Sequence, residues 1–174
     1  MRFHYCPDCG SALELRPIGD EGDTPWCPQC QRPLFDQFST CVIALVVNGR
    51  NEAAVLRQGY ISRKYGNLVS GYMKPGETAE DCVRREIEEE LGLHTAALEL
   101  VQTWWMEKKG LLMIGFFART EDSEIRLSEE VDSACWLPVE EALGQVHPEG
   151  SISYALIRAY LDRGIKAADD RPAL

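Results

Sequence analysis

Two Cys-x-x-Cys pairs near the start of the chain, Cys6-Pro-Asp-Cys9 and Cys27-Pro-Gln-Cys30, stand 17 residues apart. That gap lies within the roughly 15 to 20 residues that separate the two knuckles of a four-thiolate zinc site. Two residues between cysteines let both sulfurs face one ion, while the knuckle's backbone N–H groups point back at the thiolates and disperse their charge. Gly10 lets the first knuckle close. The surrounding forty or so residues hold too few large apolar side chains to fold alone, so bound zinc would supply the missing folding free energy. Such a site is closed and therefore structural. Redox dithiols or disulfides are the alternatives, and the spacing favours metal. Residues 1–38 are thus expected to form a zinc ribbon held by Cys6, Cys9, Cys27 and Cys30.

The rest of the chain is of another kind. With 174 residues, 45% of them apolar, it can bury one substantial core beside the small module. No apolar run approaches the ~20 residues needed to span a bilayer, and the opening Met1-Arg2-Phe3-His4-Tyr5-Cys6 lacks the apolar stretch of a signal peptide. A cytoplasmic protein with no membrane partner is expected. The remaining three of seven cysteines, Cys41, Cys82 and Cys135, are expected to be buried thiols. A net charge of −10 repels polyanions, so a phosphorylated ligand would need metal ions and a local basic patch. The ribbon itself carries three basic residues (Arg2, Arg16, Arg32) against six acidic ones (Asp8, Glu14, Asp20, Glu21, Asp23, Asp36), unlike a module that reads DNA.

From Thr40 the β-branched run TCVIALVVN reads as a buried strand, followed by a turn at Asn48-Gly49-Arg50-Asn51 and a second strand, EAAVLRQ. Residues 71–93, GYMKPGETAEDCVRREIEEELGL, join a Gly/Pro loop to a helix. Thr78 is the N-cap and Gly92 the C′ glycine, so the helix should run from Ala79 to Leu91. Glu86, Glu89 and Glu90 have i, i+3, i+4 spacing and share one face. Without a counter-ion each like-charged pair costs roughly 0.2–0.5 kcal/mol, whereas a hard divalent cation needs several oxygen ligands held in this way. Val83, Ile87 and Leu91 occupy the neighbouring stripe, so the helix can lie on a sheet with its acidic edge in a cleft, and Glu88 points to solvent.

Gly71, Glu77, Arg85, Glu86, Ile87, Glu89, Glu90, Gly92 and Leu93 match every fixed position of the signature G-x5-E-x7-R-E-U-x-E-E-x-G-U, with U a bulky aliphatic residue. The sequence therefore resembles the Nudix hydrolase family. The resemblance implies an α/β fold, an α/β/α sandwich around a mixed sheet, and hydrolysis of nucleoside diphosphates linked to another moiety. It implies that Glu86, Glu89 and Glu90 bind catalytic Mg²⁺ or Mn²⁺ together with the backbone carbonyl of Ser70. Gly71, Glu77, Arg85 and Gly92 would be structural, Glu77 and Arg85 as an ion pair fixing loop to helix. One carboxylate must also take a proton from the attacking water. The motif leaves open which, with Glu89 favoured.

A zinc ribbon directly ahead of such a domain resembles the NADH pyrophosphatases. In those enzymes an aromatic pair followed by proline helps hold a base; here the stretch is PLFDQ, with Phe35 at the second aromatic and Asp36 in place of proline. Downstream, ALELVQTWWM and GLLMIGFFART read as two strands split by Lys108-Lys109-Gly110. The Ser-Gln-Pro-Trp-Pro-Phe-Pro motif of that group is replaced by Val101-Gln102-Thr103-Trp104-Trp105-Met106; Trp104 or Trp105 could stack on a base, the other belonging to the core, and Trp104 is taken as the candidate. Glu130, in LSEEVDSACWLPVEEAL, matches that group's additional metal-binding glutamate. Arg57 and Arg63 are candidates to meet a phosphate or ribose. GSISYALIRAYLD should form a closing helix capped by Ser151, giving a catalytic domain over 39–166 and a poorly ordered tail over 167–174.

The leading expectation is a metal-dependent enzyme that splits NADH or NAD into nicotinamide mononucleotide and AMP. The alternatives are ADP-ribose, another nucleoside diphosphate derivative or nucleoside triphosphates as substrate, and, in a different class, a non-catalytic nucleotide sensor. The intact glutamate set argues against the sensor. The expected partner is a small nucleotide, nucleic acid entering only as a capped RNA 5′ end, and the resemblance suggests a homodimer.

Overall fold

A computed structural model describes residues 3–164; Arg2 and the tail over 167–174 lie outside them. The chain divides into two compact units, Met1–Ser39 and Thr40–Leu174.

In the first unit, β1 (Glu14–Pro17), β2 (Asp23–Cys27) and β3 (Arg32–Pro33) form an antiparallel sheet in the order β1-β2-β3. Its core is small: Cys6, Cys27 and Leu34 are buried, with Phe3, Leu13 and Cys30 packed against them. Both knuckles close with a backbone bond, from the Gly10 N–H to the Cys6 carbonyl and from the Gln31 N–H to the Cys27 carbonyl, each 2.9 Å. The closing residues take positive φ, 75° at Gly10 and 53° at Gln31, so the second knuckle forms without a glycine.

The second unit is built on β4 (Ser39–Val47), β5 (Glu52–Arg57), β6 (Val69–Tyr72), β7 (Ala97–Met106), β8 (Leu111–Arg119) and β9 (Ser133–Pro138). They form one six-stranded sheet in the order β7-β8-β4-β5-β9, with β6 paired to β4 as well. The helices are α1 (Ala79–Leu91), α2 (Val139–Gln145) and α3 (Ile152–Asp162). Among the described residues no helix is long and apolar enough to cross a membrane.

β4 shows how the layers arise. Its side chains alternate between faces, and both sets are apolar. Cys41, Ile43, Leu45 and Val47 join a core with Val139 and Ala142 of α2 and Leu156, Ile157 and Tyr160 of α3. Val42, Ala44 and Val46 join the opposite core with Cys82, Val83, Ile87 and Leu91 of α1. The result is the α/β/α sandwich expected from the sequence. The turn after β4 is tied by Asn48, whose Oδ1 accepts from the amides of Arg50 (2.9 Å) and Glu52 (3.0 Å).

The helix over Ala79–Leu91, the pairs β4–β5 and β7–β8, and the capped α3 fall where the pattern placed them. β6 has no counterpart in the reading above. It is four residues long, with a glycine at its third position, too short for alternation to register. Cys135 corrects an expectation. Cys41 and Cys82 are buried, but Cys135 is exposed. It sits on β9, which ends the strand order and so has a neighbour on one side only.

Candidate active site

α1 starts where the Thr78 hydroxyl accepts from the Asp81 amide at 3.2 Å and stops where Gly92 turns left-handed, its N–H reaching the Glu88 carbonyl at 2.9 Å. Its buried stripe, Cys82, Val83, Ile87 and Leu91, presses on the sheet. Glu86 and Glu90 therefore sit at the margin of the core and Glu89 beyond it, while Glu88 is exposed.

β6 delivers the loop to that margin. Pairing with β4 sets Gly71 opposite Val42 and Ser70 opposite Ile43. A Cβ on Gly71 would lie 1.9 Å from Cδ of Glu86 and 2.0 Å from its Oε1. Only a glycine leaves room for that carboxylate.

Arg85 joins the loop to the helix face. It is bound to Glu77 through both Nε and Nη2, the second contact at 3.0 Å, and its Nη1 donates to Glu86 at 2.6 Å and to Glu89 at 2.9 Å. Nη2 also reaches the Tyr72 carbonyl at 3.2 Å. The Arg85 guanidinium, with the Lys74 amide, holds the Glu77 carboxyl down at about 2. The same partners, Glu77 first, raise Arg85. Burial raises Glu86 against the pull of Arg85. Glu89 is open to solvent, and Lys74 Nζ stands 3.6 Å from its Oε1.

Glu90 differs from its neighbours. It is 5% exposed, and burial pushes it up to about 7 against the hydrogen bonds from the Gln58 side chain and the Ser70 backbone, with Glu86 and Glu130 adding repulsion. Gln58 Nε2 donates to its Oε1 at 2.9 Å. Its Oε2 is buried with no hydrogen-bond partner. A buried carboxylate oxygen without a partner, close enough to Glu86 and Glu130 to feel their charge, with hard oxygen donors throughout, suits a divalent cation of the Mg²⁺ or Mn²⁺ type. Glu130 lies in the loop before β9, exposed, and its charge is felt at both Glu90 and Tyr60.

The structure thus brings together Ser70, Gly71, Glu77, Arg85, Glu86, Glu89 and Glu90, with Glu130 alongside. It does not bring Trp104 there. Trp104 packs against the core on the α3 side of the sheet, its ring so close over Gly115 that a Cβ there would lie 2.4 Å from it. It lines a cavity of about 780 Å³ with Ser151, Tyr154 and Arg158. Arg57 is committed to structure, donating to the Lys64 carbonyl (2.8 Å) and to Gln145 Oε1 (3.1 Å). Arg63 is exposed in the loop between β5 and β6, and Phe35, 53% exposed, belongs to the first unit. Gln58, Tyr60 and Lys74 were missed by the sequence reading. For Gln58 a signal existed: Ala54 and Leu56 face α1, and strand alternation puts residue 58 on the same face.

In the first unit, the sulfurs of Cys6 and Cys30 are 3.9 Å apart, those of Cys9 and Cys27 3.5 Å, and all four lie within 4.8 Å of one another. Among the described residues this is the one set of three or more cysteine, histidine or acidic side chains whose donor atoms already lie that close together; the carboxylates of α1 are spread more widely. The Cys30 amide points at Cys27 Sγ at 3.2 Å. Four free thiols converging with a knuckle amide on a sulfur fit a structural metal site.

The protein-family comparison decides the lineage, since the NUDIX domain matches residues 38–160. The chain belongs to the Nudix family. Its Nudix domain and ribbon together are similar to NudC of Pseudomonas aeruginosa, a NAD-capped RNA hydrolase, with 32% identity over 168 residues, 95% of this chain and 58% of that protein. They are also similar to human NUDT12, a NAD-capped RNA hydrolase, at 28% identity, covering 92% of this chain and 38% of that one. The chain so spans little more than half the length of the first of these relatives. The Nudix fold is seen again in a NUDIX hydrolase from Nitrosomonas europaea, with a TM-score of 0.68, 19% identity and 93% of each chain covered.

Proposed function

We propose that this Nudix protein is a divalent-metal-dependent pyrophosphohydrolase that cuts the P–O–P bridge of NAD-type dinucleotides, NADH or NAD giving nicotinamide mononucleotide and AMP. The observation that carries the chemistry is the buried Glu90 carboxylate, with one oxygen unpartnered and the charge of Glu86 acting on it, on the helix face that also bears Glu89. The substrate class rests on the likeness to NAD-capped RNA hydrolases across ribbon and Nudix domain alike.

Glu86, Glu89 and Glu90, the Ser70 carbonyl and Glu130 would hold Mg²⁺ or Mn²⁺. Such ions, when bound, neutralise the charge of the pyrophosphate and activate water at neutral pH. Gly71 keeps space for the Glu86 carboxylate, and the Glu77–Arg85 pair fixes the loop on the helix. Glu89, the most exposed of the three, is the favoured one to take the proton of the attacking water. Lys74 beside it offers a cation to a phosphate oxygen. Cys6, Cys9, Cys27 and Cys30 would hold structural Zn²⁺. Of the substrate-binding candidates, Phe35 is assigned to a base and Arg63 to the phosphate or ribose; Trp104, on the α3 side of the sheet, and Arg57, spent on Lys64 and Gln145, are left out of the assignment. A NAD cap on RNA carries the same bond, and the chain is further proposed to act as a homodimer in the cytoplasm.

The test is a panel of NADH, NAD⁺, ADP-ribose, diadenosine polyphosphates, nucleoside triphosphates and NAD-capped RNA, with Mg²⁺ or Mn²⁺ and product analysis. AMP plus nicotinamide mononucleotide should lead. A hundredfold preference for triphosphates, about 2.7 kcal/mol in transition-state binding, would overturn the substrate assignment.

A further inference from the structure

The geometry points to Gln58 as the positioning residue of the metal face, the group that decides which oxygen of Glu90 is presented to a divalent cation. The inference rests on the metal assignment of the preceding subsection.

Gln58 follows β5 and is 1% exposed, among the largest fully buried side chains of the protein. Long amides seldom lie so deep. Its backbone is pinned, the carbonyl accepting from the amides of Ile61 (2.9 Å) and Ser62 (3.0 Å). Its side chain follows Ala54 and Leu56 towards α1 and meets Glu90 across 32 residues of sequence. Nε2 donates to Glu90 Oε1 at 2.9 Å and lies 3.3 Å from the Tyr60 hydroxyl. A carboxylate only accepts, which sets the amide this way round.

The pairing leaves Glu90 Oε2 and Gln58 Oε1 buried without a well-formed hydrogen bond, and among the described residues the Ser70 backbone is the one other donor that acts on the Glu90 carboxylate. A buried amide whose purpose was stability alone would be expected to satisfy its carbonyl. One donor spent on one oxygen of Glu90 instead keeps that oxygen occupied and turns the other towards the cation, favouring a single-oxygen grip. Partners of this kind, which orient a metal ligand without touching the metal, commonly change affinity or activity by about 10- to 100-fold when removed.

The experiment uses the zinc-loaded full chain and Mn²⁺ as probe, read by electron paramagnetic resonance, with kcat, KM and thermal midpoint measured in parallel. Gln58→Met keeps the length and loses the donor; Gln58→Glu keeps shape and polarity and sets a second acceptor against Glu90. Mn²⁺ affinity should fall about tenfold or more in Gln58→Met and further in Gln58→Glu. kcat should fall with it, while KM measured at saturating Mn²⁺ stays within about twofold. Wild-type Mn²⁺ affinity in Gln58→Met, alongside a loss in Glu90→Gln, would overturn the role of Gln58 and leave the metal face standing. Unchanged affinity in Glu90→Gln as well would overturn both. Equal loss of kcat and rise of KM, with a lower midpoint, would make Gln58 a packing residue only.

Discussion

Replacing Gly71 by alanine separates the geometry of the metal face from the stability of the domain. The added Cβ would lie 1.9 Å from Cδ of Glu86, and the obstacle is the free end of a side chain rather than backbone. The carboxylate therefore swings away while β6 stays paired. Leaving breaks its 2.6 Å bond from Arg85 Nη1. A hydrogen bond to a charged group contributes about 1.5–3 kcal/mol, part of which water restores once the carboxylate turns outwards. A net loss of about 1–2 kcal/mol follows, a drop of roughly 3–10 °C in the melting midpoint for a domain of this size. The effect on chemistry is larger, because a ligand has moved: Mn²⁺ affinity and kcat should each fall on the order of 10-fold to 100-fold. Gly144→Ala in α2 is the control. Nothing lies within 4 Å of its Cβ, and alanine there should stabilise by up to about 1 kcal/mol with turnover unchanged. Calorimetry, Mn²⁺ titration and steady-state kinetics on both variants make the comparison. A Gly71→Ala protein with wild-type Mn²⁺ affinity and turnover would refute the cradle.

Glu89→Gln and Glu90→Gln should each lose on the order of 10² or more in kcat with the fold intact, and Glu88→Gln should be nearly neutral in the same assay; equal losses at Glu88 and Glu89 would assign the face wrongly. Glu90 also sets a pH dependence. Its folded pKa, about 7, exceeds the unfolded value, so between about pH 4.5 and pH 7 the folded state binds more protons and stability falls as pH rises. Without added Mg²⁺, Glu90→Gln should melt higher than wild type at pH 8 and close to it at pH 4.5; a constant difference across that range would contradict this. Glu77 has the opposite sign, since a carboxyl held near 2 stabilises above its unfolded pKa and ceases to as pH falls towards 2. Elemental analysis should find about one zinc per chain, and a Cys9→Ser protein that keeps full zinc and an unchanged melting curve would refute the ribbon site.

The helix of the metal face was legible to the residue because Thr78 and Gly92 punctuate it and Glu86, Glu89 and Glu90 share a period with Val83, Ile87 and Leu91. The thiol cluster was legible because spacing alone constrains four sulfurs. What escaped has physical causes. β6 is four residues long and its polarity is set by what it touches, the carboxylate of Glu86, which lies 15 residues further along the chain. Gln58 reads as a polar strand end, and only its 32-residue reach to Glu90 gives it a role. Cys135 sits in an apolar stretch of β9, yet no residue of that strand is buried, since the last strand in the order lacks a second neighbour. Trp104 and Trp105 are adjacent in sequence and point to opposite faces, a choice set by the irregularity between Leu100 and Gln102 that composition does not show.

β4 carries apolar side chains on both faces, and this removes the usual guard against a strand sliding by one residue. A slide would exchange Cys41, Ile43, Leu45 and Val47 for Val42, Ala44 and Val46, oil for oil, with no polar group forced inside to forbid it. The guard sits instead at the strand's end, in the amide of Asn48, 4% exposed and clasping the backbone of Arg50 and Glu52. That clasp indexes β4 against β5, and the first half of the same strand indexes β6, where Val42 faces Gly71. One residue of slippage moves the partner by about 3.3 Å, enough to put a side chain where Glu86 needs none. Asn48 thus works as the detent of a ratchet whose far tooth is the glycine under the glutamates.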